Sequence, residues 1–282
     1  MAVALAIDIG GTKIEVGLVD DDGTILRRWR RGTDIHEPWP TLAVLVDEAL
    51  YSAASSGIEI RAVGVGCGGP MTGSGELVSP LNIPGWRSFA LREHLAARTG
   101  LRVRVDNDAK ALAIGEGWRG AAAGETDYIA MVVSTGVGGG IVLNGVLLDG
   151  ADGNAGHIGH VIVEPEGRAC VCGARGCLEA EASGLSIEKA SGRPAAEADA
   201  ATVERTGRLV GRGVASVANL LDLRLAVVAG SVALGMGREF FHAAQAELDA
   251  CSRIEFARGA RIVAGGLGAD GPLVGAAALV LR

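Results

Sequence analysis

The chain has 282 residues, 49% hydrophobic and 21% charged, which excludes a disordered polymer and leaves material for two modest domains with their own cores. Its net charge of −7 speaks against a nucleic-acid partner, which calls for a basic face. No apolar run reaches membrane-spanning length, and the first apolar stretch lacks a basic leader and is broken by Asp8, so neither a membrane partner nor a signal peptide is expected and the location is read as cytoplasmic. In that compartment clustered cysteines are expected to bind metal, not to form disulfides.

Leu5–Ile9 reads as a strand, Gly10-Gly11-Thr12 as a turn, Ile14–Val19 as a second strand, Asp20–Gly23 as a turn and Thr24–Trp29 as a third strand. Arg30–Pro40 is polar and contains proline, hence a loop. Thr41–Ala54 carries Leu42, Leu45, Val46, Ala49 and Leu50 at helical spacing. Ile60–Val65 reads as a buried strand, ended by Gly66-Cys67-Gly68-Gly69-Pro70. A long loop then runs to Trp86, and loops of that length usually have a task. Leu91–Thr99 is a helix closed by Gly100, Leu101–Val105 a half-buried strand, and Asp106-Asn107-Asp108 a cap for a helix over Ala109–Trp118. Tyr128–Val133 is again a strand, Thr135–Gly140 a glycine turn, and Ile141–Leu143 and Val146–Leu148 are strands around an Asn144-Gly145 hairpin signal. Residues 149–184 are irregular. Thr202–Leu221 is an amphipathic helix, Leu225–Ala229 a strand ending in Gly230-Ser231, Met236–Ala250 a helix, Arg261–Ala264 a strand and Pro272–Leu281 a final helix; 191–201 has no readable pattern.

Alternating strands and helices imply an α/β chain. The strand–glycine turn–strand–turn–strand unit occurs twice, which implies an internally duplicated fold. In both copies the glycines join strand to strand, unlike a dinucleotide fingerprint, which opens a helix, and no Walker P-loop pattern occurs. Backbone amides in such turns can approach a polyphosphate, although each turn alone is also an ordinary hairpin.

His160, Cys170, Cys172 and Cys177 follow the spacing His-x9-Cys-x-Cys-x4-Cys, with Gly173 and Gly176 to fold the loop back. Three thiolates and an imidazole make a closed tetrahedral zinc set, which is structural because no position is left open. Cys67 and Cys251 stand apart and read as small core residues.

Several stretches resemble motifs of the ROK sugar kinases, bacterial glucokinases above all. Asp8-Ile9-Gly10-Gly11-Thr12-Lys13 is similar to their first phosphate motif, Ser134–Gly140 to the second, and Asn107-Asp108-Ala109 to their Asn-Asp-Ala segment. Gly156-His157-Ile158-Gly159-His160 with Cys170 through Glu179 resembles their zinc signature, and Ser79 through Trp86 a loop common in their glucokinases. The resemblance implies a duplicated actin-like (ribonuclease H-like) ATPase fold, two domains flanking a cleft, with a zinc-bearing loop over 157–179 in the larger one. Residues 1–107 with about 269–282 would form the small domain, and 108–268 the larger.

It also implies an ATP-dependent hexose kinase that moves the γ-phosphoryl group to a sugar hydroxyl at carbon 6, with magnesium accompanying ATP. Asp108 would be the general base, and Asn107 and Asp108 would hydrogen-bond sugar hydroxyls; read without the family, 106–108 only cap a helix. Gly69, Asn82, His157, His160 and Glu179 would line the sugar side. Asp8 would hold magnesium; Gly10, Gly11, Thr12, Thr135, Gly136 and Gly138 would cradle phosphates, and Gly230 and Ser231 would lie near the adenosine. Lys13 either assists with charge or is solvated. The implied assembly is a homodimer.

One position departs from the pattern. His157 stands where most family glucokinases have Glu, and some N-acetylmannosamine kinases of the family also carry His there. A carboxylate accepts two hydroxyls, whereas a neutral imidazole offers one acceptor and one donor, so glucose and an amino sugar both stay open, as does a mere spacer role. The competing class is a sugar-responsive regulator without catalysis. The first phosphate motif lies within ten residues of Met1, so the helix-turn-helix domain of such repressors is not expected.

Overall fold

Residues 2–282 are described by the structure, a computed structural model. In chain order its first half contains β1 (Val3–Ile9), β2 (Lys13–Asp20), β3 (Ile25–Gly32), α1 (Pro38–Ser55), β4 (Ile60–Cys67), α2 (Leu91–Thr99), β5 (Val103–Asn107) and α3 (Asp108–Arg119). There follow β6 (Tyr128–Val133), β7 (Val137–Leu143), β8 (Val146–Leu147), α4 (Leu178–Ala182), α5 (Gly184–Ser191) and α6 (Ala200–Leu221). Last come β9 (Leu225–Ala229), α7 (Ser231–Cys251), β10 (Arg261–Ala264) and α8 (Gly271–Leu281).

These elements form two compact units. Unit 1 takes the chain up to Gly120, Leu148–Ala155 and Ala269–Arg282; unit 2 takes Ala121–Leu147 and Gly156–Gly268. Each is built on a five-stranded sheet, ordered β3-β2-β1-β4-β5 in unit 1 and β10-β9-β6-β7-β8 in unit 2. In unit 1 the β1–β2 and β2–β3 pairs are antiparallel, while β1–β4 and β4–β5 are parallel. Unit 2 repeats this: β6–β7 and β7–β8 antiparallel, β6–β9 and β9–β10 parallel. The duplication expected from the paired hairpins is therefore present in full, down to strand order.

The unit 1 sheet is covered on both faces, and its residue sizes record how closely. Val3, Leu5, Ile7 and Ile9 alternate onto a face packed with Leu42, Leu45 and Val46 of α1 and Leu91 and Leu95 of α2. The intervening Ala4 and Ala6 face Leu273, Ala276 and Ala277 of α8. Ala6 is flanked in register by Gly17 and Gly64, and this row of small residues lets α8 come close. A Cβ at Gly64 would lie 1.9 Å from the Ala276 carbonyl oxygen. Helix α3 lies against the same helix, with Gly275 abutting the Ala111 backbone, so α3 groups with unit 1. In unit 2 the long amphipathic α6 packs on α7 through Gly207 and Gly211, whose missing side chains admit the backbone at Phe240 and Ala244.

Several boundaries differ from expectation. The Arg30–Pro40 loop is shorter than read: β3 continues to Gly32, because the arginines of this edge strand find carboxylates at Glu15 and Glu48, and α1 starts at Pro38, with proline serving its first turn. Helix α7 begins at Ser231 and is interrupted at Gly237, where φ is 68° and ψ −150°. Residues 191–201 contain a 3-10 turn at Ala195–Glu197, after which Asp199 caps α6 by accepting the Thr202 N–H at 2.8 Å. Cys67 is a core residue as expected, but Cys251 is exposed.

The largest correction concerns the second glycine run. Only 134–136 turn; Gly138, Gly139 and Gly140 belong to β7, opposite Val132, Met131 and Ala130. At Gly139 the reason for glycine is a close neighbour: a Cβ there would stand 3.0 Å from the Gly156 carbonyl oxygen and 3.0 Å from the Ile158 side chain.

Candidate active site

In unit 1, three parallel strands end in register. Asp8 of β1 pairs with Gly66 of β4, which pairs with Asp106 of β5, and Cys67 pairs with Asn107. Asp8, the 10–12 turn, Gly68-Gly69 and Asn107-Asp108 therefore emerge together at the carboxyl ends of the strands, where open α/β sheets bind ligands. Asn107 caps α3, its Oδ1 accepting the Ala109 N–H at 3.0 Å, and Asp108 occupies the first helical position, exposed, its own Oδ1 2.8 Å from that N–H. The Ala109 N–H is thus shared between the two side chains, with Asn107 in the N-cap position. The Asp8 carboxyl is pushed up to about 7, first by burial and next by the charge of Asp108. A buried carboxylate that a neighbouring negative charge keeps from ionising is suited to meet a divalent cation.

Asn82 is brought to the same turn. A Cβ on Gly11 would lie 2.9 Å from Asn82 Cβ and 3.1 Å from its carbonyl oxygen, so glycine there admits the 79–86 loop. That loop is clamped by Arg87, whose Nη1 donates to the carbonyls of Pro80, Ile83 and Trp86 at 3.0, 2.9 and 2.6 Å. Gly69 accepts the Leu81 N–H at 3.2 Å. Lys13 pairs with buried Glu15, as does Arg30, and its charge also reaches Asp8, where it works against the rise of that carboxyl. Burial works against the Glu15 carboxylate, yet those cations hold its carboxyl below the usual value.

In unit 2, β6 and β9 are parallel and end together, which places Gly230-Ser231 beside the 134–136 turn. Ser134 and Ser231 share a hydroxyl hydrogen bond of 2.9 Å. Gly230 has φ 99°, and a Cβ there would lie 2.4 Å from the Val133 carbonyl oxygen, so only glycine fits. Glu179 opens α4 two residues after Cys177, and its Oε2 accepts the Val137 N–H at 2.9 Å.

His160, Cys170, Cys172 and Cys177 come together with their ligand atoms all within 4.8 Å of one another. Cys172 Sγ lies 3.7 Å from Cys177 Sγ, and Cys170 Sγ lies 3.8 Å from His160 Nδ1. Such separations match the edges of a tetrahedron around zinc, about 3.8 Å for Zn–S bonds of about 2.3 Å. The loop closes through Gly173 and Gly176, at φ 93° and 73°; a Cβ on Gly176 would lie 1.6 Å from the Glu164 carbonyl oxygen. Without a cation, burial and the neighbouring sulfurs push the Cys177 thiol up to about 12, so a metal is what would ionise it. His157 is exposed, its ring 6.0 Å from that of His160.

The model of the ROK family matches residues 4–282. The chain belongs to the ROK family. It is 41% identical to the glucokinase of Thermotoga maritima over 187 residues, 66% of this chain and 58% of that protein. It is 37% identical to the N-acetylmannosamine kinase of Citrobacter koseri over 252 residues, 83% of this chain and 84% of that one. The crystal structure of a ROK family glucokinase from Streptomyces griseus in complex with glucose and AMPPNP superimposes with a TM-score of 0.82 at 31% identity, covering 99% of each chain. The two duplicated α/β units are thus the ROK fold. Among the described residues of this ROK chain no helix is long and apolar enough to cross a membrane.

Sequence reasoning passed over Arg87 and Lys110, because an arginine in a loop and a lysine on a helix usually face solvent. Lys110 is instead 2% exposed, its Nζ held by Asp106 at 3.2 Å, Asp149 at 2.7 Å and the Gly153 carbonyl at 3.0 Å. It ties the first turn of α3 to the 149–153 segment that leads to His157. Burial raises the Asp106 carboxyl and Lys110 opposes that rise. Lys110→Met is expected to cost on the order of 3 kcal/mol in urea unfolding, since it leaves buried Asp106 with only the more distant Arg104, at 4.0 Å. A loss below about 1 kcal/mol would show that the ROK fold does not depend on this clip.

Proposed function

We propose that the chain is an ATP-dependent hexose kinase that transfers the γ-phosphoryl group to the 6-hydroxyl of a sugar, with glucose the leading substrate. The observation that carries this is the register of β1, β4 and β5, which sets Asp8 and Asp108 beside one glycine turn at the end of one sheet. Phosphoryl transfer asks a protein mainly for position and charge. Asp108 takes the hydroxyl proton late, as the oxygen attacks phosphorus, so an ordinary carboxylate suffices. In unit 1 Asp8 would hold magnesium directly or through water and the amides at 10–12 would meet phosphate; in unit 2 the amides at 135–136 would do the same and Gly230 and Ser231 would border the adenosine. Asn107, Asn82, Gly69, His160 and Glu179 order the sugar hydroxyls.

Zinc, held by His160, Cys170, Cys172 and Cys177, would supply a closed structural node. With Nδ1 of His160 turned to the sulfurs, Nε2 is left for a sugar hydroxyl. The test is ADP release from ATP and magnesium with glucose, mannose, N-acetylglucosamine and N-acetylmannosamine in turn. No turnover on any of them by zinc-loaded protein would replace the kinase reading with a sugar-binding regulator.

A second reading, an N-acetylmannosamine kinase, rests on His157. If this position selects the sugar, His157→Glu should move the ratio of kcat/KM toward glucose by about tenfold, the scale of one exchanged hydrogen bond. An unchanged ratio would make His157 a spacer.

A further inference from the structure

The Glu179 carboxylate is engaged at the nucleotide hairpin of its own unit. Oε2 accepts the N–H of Val137, the first residue of β7, at 2.9 Å. A Cβ on Gly136 would lie 2.8 Å from the same oxygen, so glycine at 136 is what lets the carboxylate reach the turn. The rest of the segment carrying the zinc ligands converges on the same few residues. Ser134 accepts the Gly184 N–H at 2.8 Å, and Gly159 lies so close that a Cβ there would stand 2.2 Å from the Val137 carbonyl oxygen. Glu179 is itself fixed from behind: its carbonyl accepts the Ser186 hydroxyl at 2.9 Å and the Ser183 N–H at 3.1 Å, at the junction of α4 and α5. Its other carboxylate oxygen, Oε1, takes no hydrogen bond among the described residues.

We infer that Glu179 is a positioning residue for the 134–137 phosphate turn, holding the nucleotide hairpin with one oxygen while the other stays available to a sugar hydroxyl. This rests on the kinase reading and adds to it. A charge-assisted hydrogen bond to a backbone amide restrains the turn before any ligand arrives. A turn whose amides are already aimed loses less freedom when phosphates bind, so nucleotide affinity depends on Glu179 even without sugar. It also follows that the cysteine loop, which leads through Cys177 straight into Glu179, shapes the nucleotide side of unit 2 as well as the sugar side.

Two variants of matched bulk separate this from a role confined to the sugar. Glu179→Gln keeps an acceptor for the Val137 N–H; Glu179→Met fills the space without one. Binding of a non-hydrolysable ATP analogue with magnesium is measured by calorimetry on zinc-loaded protein without sugar, and amide hydrogen exchange is followed at Val137. The Met variant should bind the analogue about tenfold more weakly and lose protection at Val137, while the Gln variant stays within about twofold of the parent on both readouts. Glu179→Ala takes the place of the Met variant if that chain does not fold. Parent-like nucleotide binding by the acceptor-less variant overturns the inference and leaves the kinase reading intact. A parent chain that binds no nucleotide removes both.

Discussion

Asp108→Asn should fold, bind sugar and nucleotide, and lose about 10²–10⁴-fold in kcat, the range for removing a general base. The amide keeps the size of the carboxylate and can still accept the Ala109 N–H, while the cap of α3 stays with Asn107. Proton acceptance is the main loss, so the defect belongs chiefly in kcat, with the sugar KM changed far less. Turnover near the parent value would remove Asp108 as the base.

The same substitution has a signature in stability. The Asp8 carboxyl rises from its ordinary 3.8 to about 7, by burial first and by the charge of Asp108 second. A carboxyl raised in the fold binds its proton more tightly there than in the unfolded chain. Its contribution therefore falls as pH climbs from about 4 toward 7, and stays low above that. Removing the charge at 108 withdraws one cause of the rise. In the absence of divalent cations, Asp108→Asn should melt higher than the parent at pH 8, and the difference should shrink at pH 5, where Asp8 is largely protonated in both. Equal melting at both pH values would show that the Asp108 charge does not raise the Asp8 carboxyl. Loss of turnover with gain of stability is the pattern of a site that keeps like charges together for a task.

Cys172→Ser should release the metal and raise the sugar KM by about tenfold or more, as losses around metal sites do. Cys172 is the informative ligand because it is exposed, whereas Cys177 is fully buried at the start of α4 and its replacement would also disturb packing. The Ala174 N–H and the neighbouring Cys170 already lower the Cys172 thiol toward ionisation, and a serine hydroxyl cannot follow. Zinc content, measured with a chelating dye on unfolded protein, should drop, and 157–179 should become open to proteolysis. Normal sugar affinity in a zinc-free variant would show that the cysteine loop does not shape the sugar side.

Both experiments concern residues that could be singled out before any coordinates. His160 and the three cysteines are close in the chain, and their spacing with two glycines is a local constraint that any fold must respect. The strands and helices were legible for a similar reason: the apolar residues of Leu5–Ile9 report a buried strand and helical spacing in Thr41–Ala54 reports which face is buried, and burial is imposed residue by residue. The strand limits of β9 and β10 match because turn residues punctuate both ends.

Other features depend on what arrives from elsewhere in the chain. Gly138–Gly140 look like a turn, and are a strand because they pair with Val132, Met131 and Ala130 of β6, while Gly156 and Ile158 come close at Gly139. Lys110 looks like a surface lysine, and is buried because Asp149 and Gly153 close over it. Arg87 and Glu179 find their carbonyls and amide only after the loops fold. Composition, periodicity and short-range spacing thus determined the α/β class, the duplication and the His/Cys cluster suited to a metal, since each is written in neighbouring residues. Tertiary structure alone decided which backbone each glycine admits and which partner each buried charge meets, because those partners are distant in sequence and chosen by packing.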